Sequence, residues 1–377
     1  MESKNVIALT KELVAFNTIN PPGNEEELAL FVGGLLTSNG FEVNYIPFEE
    51  NRLHLIAEKG CTAQDPPLVL SGHFDTVPLG TKEWNDDPFD GIVKDGKLFG
   101  RGSSDMKGGL AAMIVAAIQA FEQGSPKGGV KLIITAGEEL GCQGAVHMVS
   151  TFQKKRVARG IIVGEPTANI PAIGHKGGLY LELHVSGITA HSSMPHLGEN
   201  AIYKIARAIT KIENFELNAK KDELLGFPTL NVGKVSGGLN INSVPDRASF
   251  TIDARTTTKI NHGQLIKQLQ TELGAEIEIK TLVDLPAVSS SEESQFIQQV
   301  YDVCGISNAA AGYPKSLPYL TDASVLQAAF EGAPVVILGP GQPEMAHQTN
   351  EYCAITNLEK AVEIYKNIIL NGGGNNE

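Results

Sequence analysis

The sequence predicts an α/β protein with a mostly parallel sheet and helices on both faces, plus an inserted ferredoxin-like α+β segment. Three observations predict it. Apolar runs at 68–72, 130–136, 160–164 and 334–338 are bounded by turn signals and alternate with helical stretches, as in a parallel sheet covered on both faces. Residues 178–288 follow another rhythm: Leu179, Leu181, Leu183 and Val185 alternate strictly, and the order of elements reads βαββαβ. At 377 residues the chain is too long for one ordinary core. The expected organisation is a split α/β domain over 1–177 and 289–377, with a lid domain over 178–288.

Taken in order, the first helix is expected over 3–16, where "MESKNVIALTKELVAF" has its apolar residues at helical spacing. A second is expected to start at Asn24, with Glu27 at capping-box spacing, and to close on Gly40 at C′. "MKGGLAAMIVAAIQAFEQG" reads as an Ala-rich buried helix ending at Gly124. In the inserted part, "NAIYKIARAITKIENF" is an amphipathic helix capped by Asn200. The strands "TLNVGKVSG" and "RASFTIDART", a helix near 262–273 and a strand "AEIEIKTLV" over 275–283 follow. The α/β pattern resumes near residue 290, and the tail "NGGGNNE" is expected to fray.

Composition narrows the functions. A hydrophobic content of 42%, a mean hydropathy of −0.05 and the lack of any run of membrane-spanning length describe a soluble globular chain with no membrane partner. The N-terminal stretch lacks a basic region followed by an apolar core, which predicts a cytoplasmic protein. A net charge of −13 argues against nucleic acid as partner. Cys61, Cys142, Cys304 and Cys353 are far apart, with no C-x-x-C pair. The spacing argues against a thiolate zinc site, so a metal here must use His and carboxylates.

Candidate ligands stand at the strand ends. His73 and Asp75, at i and i+2 on an extended chain, point to one side. Asp105 precedes the buried helix, Glu138 and Glu139 follow the run 130–136, Glu165 follows 160–164, and His347 follows 334–338. Each has a plain alternative: Asp75 fixing a surface His, Asp105 capping a helix, the Glu pair solvated, His347 a loop residue. Open α/β sheets, however, gather ligands outside the carboxyl ends of their strands. Convergence of five such positions on one rim is what a metal site needs.

The motifs "SGHFDTVP", "GRGSSDMKGGLAA", "GEEL", "GEPT", "HKGG" and "AHQTNEY", in this order and over the whole chain, resemble the dinuclear-zinc metallopeptidase family of acetylornithine deacetylase, succinyl-diaminopimelate desuccinylase, aminoacylase and glutamate carboxypeptidase. The resemblance implies two divalent ions, zinc with cobalt or manganese as substitutes. His73 and Glu165 would hold one ion, Glu139 and His347 the other, and Asp105 would bridge them. Asp75 would orient His73, and Glu138 would be the general base. Two divalent ions against three carboxylates leave one positive charge for a bridging hydroxide, which metal binding makes available by lowering the pKa of water from 15.7 towards about 7. Glu138 would take its proton and deliver it to the leaving amine. A cis peptide between Asp105 and Met106 is also implied.

In the lid, "TAHSSMPHLGEN", "GGLNINSVPDR" and "DARTT" carry the resemblance further. His191 would stabilise the oxyanion, with His196 a nearby competitor. Asn240 and Arg255 would contact substrate, Arg255 as a fork for a carboxylate; its plain alternative is a surface salt bridge. The lid is expected to form a homodimer that sends His191 to the partner's metals. "GHKGGLYLELHVSGITAHSS", "FPTLNVG" and "ILGPGQPEMAHQTNEY" look more like the acetylornithine deacetylase branch, and "YLTDAS" at 319–324 departs from the Gly-Thr-Ser-Asp-like segment of the desuccinylase. The expected function is removal of an acyl group, acetyl foremost, from a small N-acyl-L-amino acid such as N-acetylornithine. The alternatives are succinyl-diaminopimelate desuccinylase and a dipeptidase or carboxypeptidase. A non-catalytic binding protein on the same fold would have lost a ligand or Glu138, and every expected position is present.

Overall fold

The computed structural model describes residues 5–152, 156–217, 219–306 and 314–371, so the tail beyond Asn371 lies outside the described residues. The chain forms two compact units. The first runs to Gly174 and includes Ser289–Lys315 and the residues from Thr321 on. The second is His175–Val288 with Ser316–Leu320, a short return that the sequence did not suggest.

The first unit is built on a six-stranded sheet in the order Glu42–Glu49, Arg52–Lys59, Val130–Thr135, Leu68–His73, Gly160–Val163, Val335–Ile337. The last four are mutually parallel. Every residue of Leu68–His73 and Val130–Thr135 is buried, which is why Leu68, Val69 and Leu70, and Leu132, Ile133 and Ile134, follow one another without alternation. The antiparallel hairpin Glu42–Glu49/Arg52–Lys59 was not foreseen. Its two-residue turn places Asn51 at φ 58°, a conformation Asn tolerates, and Pro47 is confined to the edge strand. The buried helix Lys107–Gln123 packs on Leu68–His73 and on the helices Val6–Val14 and Ile355–Leu370.

One expected cap differs. The second helix is Glu26–Ser38, with Glu25 rather than Asn24 at the N-cap and no side-chain cap. The carbonyl of Asn51 accepts from Glu26 N–H (3.0 Å) instead, and the Glu25 carboxylate turns inward onto Arg52. At the other end Gly40 takes φ 78°, and Phe41 N–H reaches the carbonyl of Leu36 at 3.1 Å, a Schellman closure.

In the second unit the strands run Thr229–Gly237, Arg247–Thr256, Gly177–Ser186, Ile277–Leu285, all antiparallel. This is the split βαβ order, with the helices Ala201–Glu213 and His262–Leu273 between strands. Leu179, Leu181, Leu183, Phe250 and Ile252 meet Ile205, Ile212, Leu265 and Leu269 in one core. The last strand starts two residues later than expected.

Candidate metal centre

The candidate residues of the first unit stand where the parallel strands end. His73 closes Leu68–His73, Glu138 and Glu139 follow Val130–Thr135, Glu165 follows Gly160–Val163, and His347 lies in the loop after Val335–Ile337. Asp105 comes two residues before the helix Lys107–Gln123, and the Asp105–Met106 peptide is cis.

These side chains form two trios that share Asp105: His73, Asp105 and Glu165, and Asp105, Glu139 and His347. Either trio could hold a metal ion. His73 Nε2 is 3.4 Å from Asp105 Oδ1 and 3.7 Å from Glu165 Oε1. His347 Nε2 is 3.1 Å from Glu139 Oε2 and 3.5 Å from Asp105 Oδ2. His73 Nδ1 donates to the backbone carbonyl of Asp75 at 2.9 Å, which leaves Nε2 facing the two carboxylates. That buried Nε2 has no hydrogen-bond partner, and neither has Glu139 Oε1.

Asp75 does more than face His73, whose Nδ1 is 3.5 Å from its Oδ1. Its carboxylate accepts the backbone N–H groups of Gly137 (2.9 Å), Glu138 (3.0 Å) and Glu139 (3.1 Å), and the Asn20 amide at 2.8 Å. It therefore ties His73 to the turn that carries both glutamates. Glu351 does the same for the Asp105 loop. Its Oε1 accepts from the N–H groups of Ser104 (2.8 Å) and Asp105 (2.9 Å), and its Oε2 from Gly102 N–H (2.9 Å) and Arg101 Nη1 (2.7 Å). Because Glu351 follows His347 by four residues, one buried carboxylate links two of the ligand-bearing segments.

The electrostatics reflect crowded anions. Burial, then Glu165, pushes Glu138 well above the usual carboxylate range. Burial and Asp105 push Glu139 up to about 7 and also raise Glu165 well above its ordinary value. Burial would raise Asp105 too, but hydrogen bonding and attraction to His73 hold it low. Burial would lower His73, but Asp105 and Asp75 raise it well above the imidazole range.

The sequence pattern singled out neither Glu351, Asn20 nor Asp322. Glu351 stood in "AHQTNEY", Asn20 in "NPPG" and Asp322 in "YLTDAS", and nothing local announces that such polar residues are buried. In the second unit His191 is exposed, and its Nδ1 accepts from Ser193 N–H at 3.2 Å, with Ser193 Oγ at 2.8 Å. This assigns the ring proton to Nε2. Asn240 is exposed. The Arg255 fork is engaged by Asp253, with Nε 2.9 Å from Oδ1 and Nη2 donating to Oδ2 at 3.1 Å, and it lies over the Tyr180 ring. Among the described residues no helix is long and apolar enough to cross a membrane.

A sequence model of peptidase family M20/M25/M40 matches residues 69–371. A protein of Staphylococcus epidermidis described as "Probable succinyl-diaminopimelate desuccinylase" is 30% identical, with 98% of each chain covered. The acetylornithine deacetylase of Vibrio vulnificus is 30% identical over 86% of each chain. In three dimensions the chain is similar to an M20 family metallo-carboxypeptidase of Sulfolobus solfataricus, with a TM-score of 0.78, 20% identity, and coverage of 97% of this chain and 98% of that one.

Proposed function

The chain belongs to peptidase family M20/M25/M40, whose members hydrolyse amide bonds, and from that premise we propose that it is a two-metal deacylase of N-acyl-L-amino acids, with acetyl as the preferred acyl group and N-acetylornithine as the model substrate. The observation that carries the reading is the pair of ligand trios sharing Asp105, with Glu138 beside Glu139.

The residues fit a metal pair. The buried His73 Nε2, which has no hydrogen-bond partner, faces the carboxylate oxygens of Asp105 and Glu165, a donor set that a cation would hold together. The crowding that pushes Glu139 and Glu165 up is what two divalent ions would relieve. His73 and Glu165 would hold one ion, Glu139 and His347 the other, with Asp105 shared. Imidazole and carboxylate without sulfur suit zinc, with cobalt or manganese as substitutes. When bound, such a pair polarises a carbonyl and makes a water acidic enough to ionise near neutral pH.

Glu138 accepts the proton of the attacking water and returns it to the leaving amine. Glu139, one residue on, is committed as a ligand. Asp75 and Glu351 hold the turns from beneath. In the second unit His191 offers its Nε2–H to the developing oxyanion, and Asn240 and Arg255 contact the substrate, whose carboxylate would displace Asp253 from the fork. The edge strand Thr229–Gly237 is open to pairing, and Ile202 and Tyr203 of the helix beside it are exposed, which supports a homodimer in which His191 serves the partner. The four unbridged cysteines support a reducing, cytoplasmic setting.

The name borne by the Staphylococcus epidermidis relative favours a second reading, desuccinylation of succinyl-diaminopimelate. The two separate on kcat/KM for acetyl and succinyl forms of one amine, with zinc added and dipeptides as a third arm. A site built to pair the succinyl carboxylate would reject acetyl by roughly 10⁴-fold. An acetyl advantage is expected. A succinyl advantage overturns the acetyl reading, and hydrolysis of dipeptides alone overturns both.

A further inference from the structure

Adjoining the ligand trios is a second cluster that the proposed reaction uses only in part. Glu138, Cys142 and Asp322 each offer a ligand atom, and those atoms lie within 4.8 Å of one another. All three residues are buried. The turn after Glu138 places Cys142 at φ 55°, with its N–H on the Glu138 carbonyl at 2.7 Å, and brings its Sγ to 3.5 Å from Glu138 Oε1. Asp322, at the start of the helix Ala323–Ala329, accepts from Thr135 Oγ1 on Oδ2 at 2.6 Å. Its Oδ1 accepts no hydrogen bond, although the residue is 1% exposed. A dry, unpartnered carboxylate oxygen is costly, and here it belongs to a cluster with a second carboxylate and a polarizable sulfur. Sulfur and carboxylate oxygen together are a donor set for a borderline-soft divalent ion.

We propose that Glu138, Cys142 and Asp322 form a third and weaker cation site, selective for zinc and similar ions, whose occupation takes Glu138 out of proton transfer. The inhibitory part rests on the proposed role of Glu138; the binding part does not. Burial and the neighbouring Glu138 and Asp322 carboxylates push the Cys142 thiol well above its ordinary range, so the cation-free site holds a thiol that donates to Glu138. On binding, the S–H bond breaks, a sulfur–zinc bond forms and the proton leaves to solvent. Three anionic ligands around one divalent ion leave the filled site with a single negative charge. Sulfur distinguishes this site from the ligand trios, which contain only nitrogen and oxygen. Cysteine spacing hid it, since Cys142 has no cysteine partner and its second carboxylate comes from the far end of the chain.

The test is a cobalt(II) titration of the metal-depleted enzyme followed by absorption, alongside turnover at rising zinc. The first two equivalents should bring activity without a sulfur band. A third, weaker equivalent should bring a near-ultraviolet thiolate-to-cobalt charge-transfer band, and excess zinc should inhibit. Cys142→Ala should keep basal activity, lose the band and need about 100-fold more zinc for inhibition, because loss of even an outer-shell partner costs roughly 10–100-fold in affinity. Asp322→Asn, which retains the thiol, should weaken the third equivalent yet still show the band at saturation, so a misfolded Cys142 variant cannot decide the outcome alone. Absence of a third equivalent, a band that survives Cys142→Ala, or zinc inhibition unchanged in that variant overturns the proposal. Counting sulfur-bound cobalt needs no turnover. A chain that hydrolyses none of the substrates but shows the band would overturn the proposed reaction and uphold the site.

Discussion

Glu351→Gln removes one buried negative charge and replaces one acceptor oxygen by an NH2 group. Four donors surround the native carboxylate: Arg101 Nη1 and Gly102 N–H on one oxygen, Ser104 N–H and Asp105 N–H on the other. An amide has one oxygen, so in either orientation two donors face an NH2 group. Each hydrogen bond to a charged group contributes about 1.5–3 kcal/mol net, and breaking a buried ion pair by removing one partner costs about 3–5 kcal/mol. Arg101 is 1% exposed, but it keeps the carbonyls of Pro78 (3.0 Å) and Gln348 (3.3 Å). The loss should therefore sit near the lower end, about 3 kcal/mol. Urea unfolding of the metal-depleted protein would read it as a lower midpoint with an unchanged slope. Because Asp105 N–H then faces either an NH2 group or a neutral amide oxygen, a weaker acceptor than the carboxylate, chelator competition should also show metal affinity reduced by roughly 10–100-fold. A loss below about 1 kcal/mol would refute the buried-pair reasoning. A full stability loss with intact metal affinity would refute the claim that Glu351 positions Asp105.

Further outcomes follow from other parts of the structure. Mixing Glu138→Ala with His191→Ala under conditions that exchange subunits should restore roughly a quarter of wild-type activity, since half the dimers become hybrids with one whole site of two; exchange without recovery rules out a His191 that serves the partner. His54, fully buried, is lowered to about 4 by burial first and then by His147 and Arg52, against 6.5 when unfolded. Between these values the unfolded chain binds more protons, so stability should fall as pH drops from 6.5 to 4, by up to ~3 kcal/mol. In His54→Gln that slope should flatten, and an unchanged slope would contradict the burial account.

The parts of the fold that were legible in the sequence are those with a local cause. Leu68–Leu70 and Leu132–Ile134 are consecutive apolar residues because both faces of their strands are covered, and the strands end at polar residues, His73 and Thr135. The alternation of Leu179, Leu181, Leu183 and Val185 marks a sheet with one buried face, and Asn200 marks a helix start that the structure caps with its side chain. The hairpin Glu42–Glu49/Arg52–Lys59 was illegible because its turn, Glu50–Asn51, lacks glycine and its second strand mixes His54 and Glu58 among apolar neighbours. Glu351 and Asp322 were illegible for a different reason. Their burial comes from partners far away in sequence, Ser104 and Asp105 for the one and Thr135 for the other, which no local pattern records.

The measurement closest to the central claim is tight-metal stoichiometry by elemental analysis, taken together with turnover, on the wild type, Asp105→Asn and Glu138→Ala. Two ions per chain are expected in the wild type, and two in Glu138→Ala with kcat reduced by about 10²–10⁴-fold. Asp105→Asn, which weakens the ligand shared by both trios, should retain fewer than two. A single tight ion in the wild type, an Asp105→Asn protein that keeps both, or a Glu138→Ala protein that loses metal while Glu139→Ala retains it would contradict the account.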